Sequence, residues 1–349
     1  MKSNYELVAD CDNFPCPVSD ATAHYSYFTG PEPYWTLFDC PDGVDIGFVH
    51  PSVSVALLEF QKNRPYDASA IFTLDEQHHA IYFKGTTPET RSAAVAKITQ
   101  HWREAGKFAV LAGWRNELYP VYGPDRQRLF DIERSASALF GVVTYGVHMM
   151  AYVRSPTSDQ AGGSKEEIRL WVPRRAATKQ TYPSMLDNTV AGGLASGEDA
   201  FEAIVREASE EASLPSDLVR KRAKAAGAVS YFHLRDERAG GESGLCQPEV
   251  QYIYDLDLTA EEGQQGAEGQ SSDRGAVVPK PSDDEVQEFY LWDVEQVKAA
   301  LGRGEFKPNC ALVLVDFFVR HGLISRETEG PGFMDMISKM HRKLDFPTA

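Results

Sequence analysis

The chain has 349 residues and little cysteine. Its five cysteines, Cys11, Cys16, Cys40, Cys246 and Cys310, are scattered, and no CxxC pair occurs. That argues against a disulfide framework and a cysteine zinc site, and it suits reduced thiols inside a cell. Long apolar runs are also missing: none reaches the ~20 residues that a membrane-spanning helix needs. Positive charge is scarce. Lys and Arg total 35 against 51 Asp and Glu, for a formal net charge of -16 and a pI of about 5.0. A surface of that sign disfavours nucleic acid and anionic membrane as partners. It does not exclude an anionic small molecule, which a metal ion or a local basic patch can neutralise. The stretch MKSNYELVADCDNFP carries no apolar signal core and no arginine-rich amphipathic pattern, so a cytoplasmic protein is expected. No internal repeat is visible, and a homodimer is left open.

What is present is enough apolar material for real cores, with 42% hydrophobic and 11% aromatic residues. At roughly 150 residues per domain, two domains are expected. Residues 1–139 read as an α+β N-terminal domain without a chemical motif. WTLFD (35–39), DIGFVH (45–50), AIYFK (80–84) and the segment near AVLAGW (109–114) read as strands. Between the last two, Thr87 caps a helix that has Pro88 at its first position.

Residues 140–349 read as a second domain, an α/β sandwich with helices on both faces of a sheet. GVVTYGVHMMAYV and IRLWVPRR read as paired strands, and TVAGG as a strand ending in a glycine turn. VSYFHL, VQYIYDLDL and VQEFYLW complete the strands, and ALVLVDFFVRHG is a helix with Asn309 as its N-cap. Residues 259–284 are rich in Gly, Gln, Ser and acids and read as a mobile acidic loop.

The chemistry concentrates in Gly192 to Leu214, GGLASGEDAFEAIVREASEEASL. Asp199 with Glu202 has capping-box spacing. Phe201, Ile204, Val205, Ala208 and Ala212 recur at helical spacing as a buried face. Glu207, Glu210 and Glu211 stand at i, i+3 and i+4, so their carboxylates share another face. Three such carboxylates repel unless a cation sits among them, and hard oxygen donors suit Mg²⁺ or Mn²⁺. A solvated glutamate-rich helix would carry the same three residues, so the wider spacing decides.

Gly192, Glu198, Arg206, Glu207, Glu210 and Glu211 match six of the seven fixed positions of the Nudix box, GX5EX7REUXEEXGU. At usage of roughly one in fifteen per position, a chance match is on the order of 1 in 10⁴ or rarer. Two departures stand: the apolar position that closes the REU triplet is only the small Ala208, and Ser213 replaces the usual glycine. The chain thus resembles the Nudix hydrolases. The resemblance implies a Nudix α/β/α sandwich with a mixed sheet, and a loop–helix–loop that holds divalent metal against a diphosphate. It makes Glu207, Glu210 and Glu211 the metal ligands, with Arg206 and Glu198 orienting them. Gly192 and Gly193 form the substrate-side turn. A glutamate of the box, or one from a nearby loop, deprotonates the attacking water, and Glu285 and Glu288 are the loop candidates for that role.

GWRNELYPVYG (113–123), IERSASALFGVVTYGVHMMAYV (132–153), WVPRRAATKQTYPSMLDNTVAGG (171–193) and FKPNCALVLVDFFVRHG (306–322) resemble one subfamily. It comprises fungal and plant Nudix proteins related to the Nudix domain fused to some thiamine pyrophosphokinases, with an uncharacterised N-terminal domain in front. That resemblance implies cleavage of thiamine diphosphate and its oxo and oxy damaged forms. Arg174, Arg175 and Lys179 suit a diphosphate tail. Trp171, Tyr182, Phe232 and Trp292 are aromatic candidates for stacking a ring, although core packing is the commoner role for each of them. His148, His233 and Asp187 are polar candidates. Cys310 lies too far from the box in sequence for the acid of an isoprenoid diphosphate isomerase. Other diphosphates, such as ADP-ribose, a dinucleotide or coenzyme A, are the alternative substrates. A non-catalytic diphosphate-binding domain is the alternative class.

Overall fold

The structure is a computed structural model that describes residues 1–63, 72–158, 164–260, 277–282 and 284–349. Most of the acidic segment 259–284, expected as a mobile loop, lies outside the described residues. The first half carries a four-stranded sheet in the order β2-β1-β4-β3, built from Trp35–Phe38 (β1), Asp45–Val49 (β2), Phe72–Asp75 (β3) and Ala80–Phe83 (β4). Helices Pro51–Asn63 and Pro88–Glu104 pack with it, together with the hairpin of Leu118–Tyr122 (β5) and Arg128–Glu133 (β6). The second helix starts as expected: the Thr87 side chain accepts from Thr90 N, and Pro88 follows at the first position. Residues 109–113 differ from the expected strand and form a 3-10 turn. Its Ala109 and Val110 amides donate to the Glu242 carboxylate, at 2.5 and 3.1 Å, so no strand pairs with it.

The second half is a six-stranded mixed sheet. Thr144–Ser158 (β7), Ser164–Arg175 (β8), Val190–Gly193 (β9), Ala223–Leu234 (β10), Cys246–Asp257 (β11) and Val286–Asp293 (β12) run in the order β10-β11-β7-β8-β12, with β9 on β7. Among the described residues, the β11–β7 pair of this sheet is parallel and its other strand pairs are antiparallel. The alternation along β7 explains the two covered faces. Val147, Met149 and Ala151 join a core with the helix Ala200–Ala212, whereas Met150 and Tyr152 join a core with the helices Val294–Gly302 and Pro308–Arg320. The N-terminal helix Asn4–Cys11 packs into that second core through Leu7, Val8 and Cys11. β7 pairs with β9 over Gly146–Met149 and with β8 from Tyr152 onward. The glycine turn therefore emerges from the middle of the sheet, which positions the site.

The helix Pro308–Arg320 starts earlier than expected. Its N-cap is Lys307, because Pro308 fits the first position, and Asn309 lies inside it. No helix among the described residues is long and apolar enough to cross a membrane.

Candidate functional site

The helix Ala200–Ala212 carries the glutamates. Asp199 Oδ1 accepts from the amides of Phe201 and Glu202 at 2.9 and 3.1 Å, a side-chain N-cap. Glu202 does not close the expected capping box; its carboxylate pairs with Arg220 at 2.7 Å. Ala203, Ile204, Val205, Ala208 and Ala212 are buried beneath β7 and β9. At the far end Ser213 takes φ 52°, and Leu214 N donates to Ala208 O at 3.1 Å. The turn that glycine usually makes is thus kept by a serine in the left-handed region.

On the polar face Arg206 organises the carboxylates. Its guanidinium holds Glu198 with two bonds, 2.8 and 3.1 Å, and its Nη1 reaches Glu207 at 3.0 Å and Glu210 at 2.9 Å. Glu211 accepts from Ala191 N at 3.1 Å. Burial raises the pKa of Glu207 despite Arg206. Burial, with Glu207 and Asp187 nearby, pushes Glu211 well above the usual carboxylate range. These groups line a groove of about 500 Å³ together with Lys179, Glu285, Arg115 and Arg134. Lys179 and Arg115 both pair with Glu285, the latter at 3.3 Å. Burial raises and these two cations lower the Glu285 pKa, and the cations win. Glu285 is therefore a weaker base than Glu207 and Glu211, and it ties two cations to the groove wall.

A second, smaller cavity of about 310 Å³ adjoins the groove, and Gly192, Arg115, Arg134 and Lys307 line both. Tyr119, Tyr182 and Tyr231 supply aromatic wall. At one side sits Glu249. Its carboxylate accepts from Tyr231 and from Gln247, Gln251 and Thr144 at 2.5, 2.9 and 3.2 Å. Burial raises its pKa, but the bonds from Tyr231 and Gln247 outweigh burial and hold it ionised. Gln247 also accepts from Arg235 Nη1 at 3.0 Å, so one amide links the two charges.

The first half builds part of this cavity. The 109–113 turn and residues 134–138 line it, beside Tyr119 of β5. Ser196 N donates to Leu118 O at 2.8 Å, and Ser196 Oγ to Asp131 at 2.6 Å, which fastens the hairpin to the glycine turn. A Cβ on Gly193 would overlap the Tyr119 hydroxyl, and one on Gly192 would overlap the Glu207 carboxyl. Both glycines are required by close approach and not by a positive φ.

Comparisons with known proteins agree with this geometry. Residues 160–310 match the NUDIX domain, and residues 40–144 match the Domain of unknown function (DUF4743). The chain is 35% identical to an uncharacterized protein of Saccharomyces cerevisiae over 311 residues, covering 88% of this chain and 83% of that one. It is 35% identical to the chloroplastic Nudix hydrolase 20 of Arabidopsis thaliana, covering 73% of this chain and 59% of the relative. With the chloroplastic Nudix hydrolase 24 of the same plant it shares 32% identity, covering 84% of this chain and 70% of the relative. The chain belongs to the Nudix hydrolase family.

Nudix hydrolases act on pyrophosphate bonds and generally use divalent metal ions. The donors present fit such an ion. Three carboxylates stand on successive turns, and the missing Cβ of Gly192 makes a cradle for one of them. Among the described residues no three acidic, His or Cys side chains converge as they stand, because Arg206 lies between Glu207 and Glu210. Glu207, Glu210 and Glu211 would hold the ion, which supplies charge neutralisation and acidifies a water. The chain's own residues orient the rest. Arg206 holds Glu198, Glu207 and Glu210, and Lys179 lines the groove paired with Glu285.

The other expected residues divide. Arg175 is buried against Asp187 at 2.6 Å and donates to the carbonyls of Thr181 and Tyr182 at 2.9 and 3.1 Å. It braces the 181–187 loop and has little left for substrate. Arg174 lies outside both cavities, donating to Ser184 O at 2.8 Å and Tyr290 at 3.2 Å. Glu288 is exposed and accepts from Tyr290. Of the four aromatic candidates, only Tyr182 lines the cavity. Phe232 stacks on Phe14 and Trp292 on Tyr290, with centroids 4.3 and 5.0 Å apart, while Trp171 packs against the box-helix core. His148 bonds Asn188 at 2.7 Å, His233 bonds Cys11 O at 3.2 Å, and both line the cavity. Cys310 donates to Asp187 at 2.6 Å, and burial with that carboxylate keeps the thiol protonated. Sequence reasoning misses Arg115, Tyr119, Arg134, Arg235, Glu249 and Lys307.

Proposed function

We propose that this Nudix hydrolase is a Mg²⁺- or Mn²⁺-dependent pyrophosphohydrolase that cleaves thiamine diphosphate, and its oxo and oxy damaged forms, to the monophosphate and phosphate. The observation that carries the reading is the tyrosine-walled cavity beside the groove. At about 310 Å³ it sits at the small end of ligand pockets, which run from ~300 to 1,000 Å³. That suits a compact head group better than a dinucleotide or coenzyme A. Tyrosine walls suit ring stacking, and the ionised Glu249 offers a counter-charge to a cationic or amine-bearing ring. The groove takes the diphosphate, with the box carboxylates holding the metal.

The test is a side-by-side rate measurement with Mg²⁺ on thiamine diphosphate, its oxo and oxy analogues, and ADP-ribose, following the monophosphate product. Turnover of the thiamine compounds is expected. Turnover of ADP-ribose without them would remove the substrate assignment and leave the pyrophosphohydrolase.

A further inference from the structure

The cations around the two cavities are nearly all matched. Arg206 holds Glu198, Arg134 holds Glu117 at 2.9 Å, Arg175 holds Asp187, and Arg115 and Lys179 share Glu285. Arg235 has no ion pair among the described residues, but its Nη1 donates to Gln247 and its Nη2 to the carbonyls of Ala239 and Gly240. Lys307 differs. Among the described residues no carboxylate lies within 4.0 Å of its Nζ, and no hydrogen bond from Nζ is found. Its Nζ stands 5.8 Å from the centroid of the Tyr182 ring.

The position is held firmly. Lys307 N donates to Leu186 O at 3.0 Å, and Lys307 O accepts from Ala311 N at 2.9 Å. Buried Phe306 and Pro308 flank it. Lys307 is also the N-cap of a 13-residue helix, whose dipole adds positive potential at the same point. It lines both the groove and the cavity. Its charge acts at longer range on the carboxylates of Asp187 and Glu249 and lowers both their pKa values, but neither bonds it, so the neck holds a preorganised donor for an anion.

We propose that Lys307 binds the substrate phosphoryl group nearest the head group, the one retained in the monophosphate product. A diphosphate ester laid from cavity to groove places that phosphoryl at the neck and the distal one among the box carboxylates. Lys307 is thus a substrate- and product-binding residue. The inference rests on the chain cleaving a diphosphate whose head group enters the cavity, and is independent of which head group that is.

The experiment uses the full chain with Mg²⁺ and whichever of thiamine diphosphate or ADP-ribose the wild type turns over; the monophosphate followed is thiamine monophosphate for the first and AMP for the second, whose other product is ribose 5-phosphate. Failure of the thiamine assignment therefore does not decide the fate of Lys307. Lys307→Ala is compared with Lys307→Arg and with Arg303→Ala, a surface-charge control. For Lys307→Ala, KM and the inhibition constant of the monophosphate product should rise together by about tenfold, the loss of one charge-assisted contact. The kcat should change less than about threefold. Lys307→Arg should recover most of both constants and Arg303→Ala should change neither, while inhibition by orthophosphate stays as in the wild type. Constants within twofold of wild type in Lys307→Ala would overturn the proposal. So would a loss of orthophosphate inhibition as large as that of the monophosphate, since Lys307 would then serve the distal phosphoryl.

Discussion

The groove and the cavity meet at Gly192, yet they are built in opposite ways. The groove's reactive face comes from one uninterrupted segment: Glu198, Arg206, Glu207, Glu210 and Glu211 lie within fourteen residues of one another, on a loop and one helix. The cavity draws Tyr119, Arg134, Tyr182, Arg235, Glu249 and Lys307 from separate segments of both halves of the chain. The groove has the groups for breaking a diphosphate, and the cavity has the groups for choosing what is attached to it. Damage should therefore separate: kcat should follow the helix, and KM the assembled walls.

The largest effect tests the groove. Glu211→Gln keeps the shape of a carboxylate that accepts from Ala191 N, and removes its charge. We expect kcat to fall by about 10²–10³-fold, the usual size of losing one group that stabilises transition-state charge. The KM and the circular dichroism spectrum should change little, and EDTA should abolish the wild-type activity. Product formation at the wild-type rate in Glu211→Gln would show that the chemistry lies elsewhere.

The next tests the cavity through pH. His148 is fully buried, and burial, with the positive charge of Lys307, lowers its pKa to about 4. In the unfolded chain it titrates near ~6.5. The unfolded state thus takes up the proton first as pH falls. The stability that depends on neutral His148 is complete above about pH 6.5 and is lost as pH falls towards 4. The loss is about 3 kcal/mol at most. Urea unfolding between pH 7.5 and 4 should show the decline, and His148→Gln should be flatter over that window. Equal slopes in the two proteins would show that other groups govern acid stability.

A smaller effect tests the joint between the two regions. A Cβ at Gly193 would collide with Tyr119 and push the β5–β6 hairpin away from the glycine turn. Gly193→Ala should raise KM by about tenfold with a lesser fall in kcat. Combining it with Tyr119→Ala should cost less than the sum of the two single changes, because the collision is gone. Strict additivity would show that the hairpin does not shape the cavity.

The same contrast separates what is legible in the amino-acid sequence from what is not. The box is legible because its chemistry obeys helical spacing, and the paired strands β7 and β8 because their apolar runs are long. The run AVLAG (109–113) is too short and too uniformly apolar for periodicity to separate strand from turn, and its amides are satisfied by Glu242, more than a hundred residues on. Lys307 lies inside a segment that carries the family resemblance, but in sequence it reads as the lead-in to a helix. Asn309 is the better cap by residue type, yet Pro308, one residue earlier, fixes where the helix starts. Arg175 has the look of a phosphate ligand because composition cannot show that Asp187 and two carbonyls already hold it. Residues whose partners are local can be read, and residues whose partners are distant cannot.

The smallest effect returns to the groove and asks how far its turn matters. Ser213 holds φ 52°, where an L-residue costs ~1–2 kcal/mol relative to glycine. Glycine gives back part of that gain through the extra freedom of the unfolded chain, worth ~0.5–1 kcal/mol. Ser213→Gly should therefore stabilise the protein by about 0.5–1 kcal/mol, read as a rise of about 2 °C in Tm. Activity should move less than twofold, because the carboxylates are set by Arg206, Ala191 and the Asp199 cap, none of which touches Ser213. A large gain in kcat from Ser213→Gly would mean instead that the strained turn displaces Glu210 and Glu211, and that the groove is not independent of its own loop.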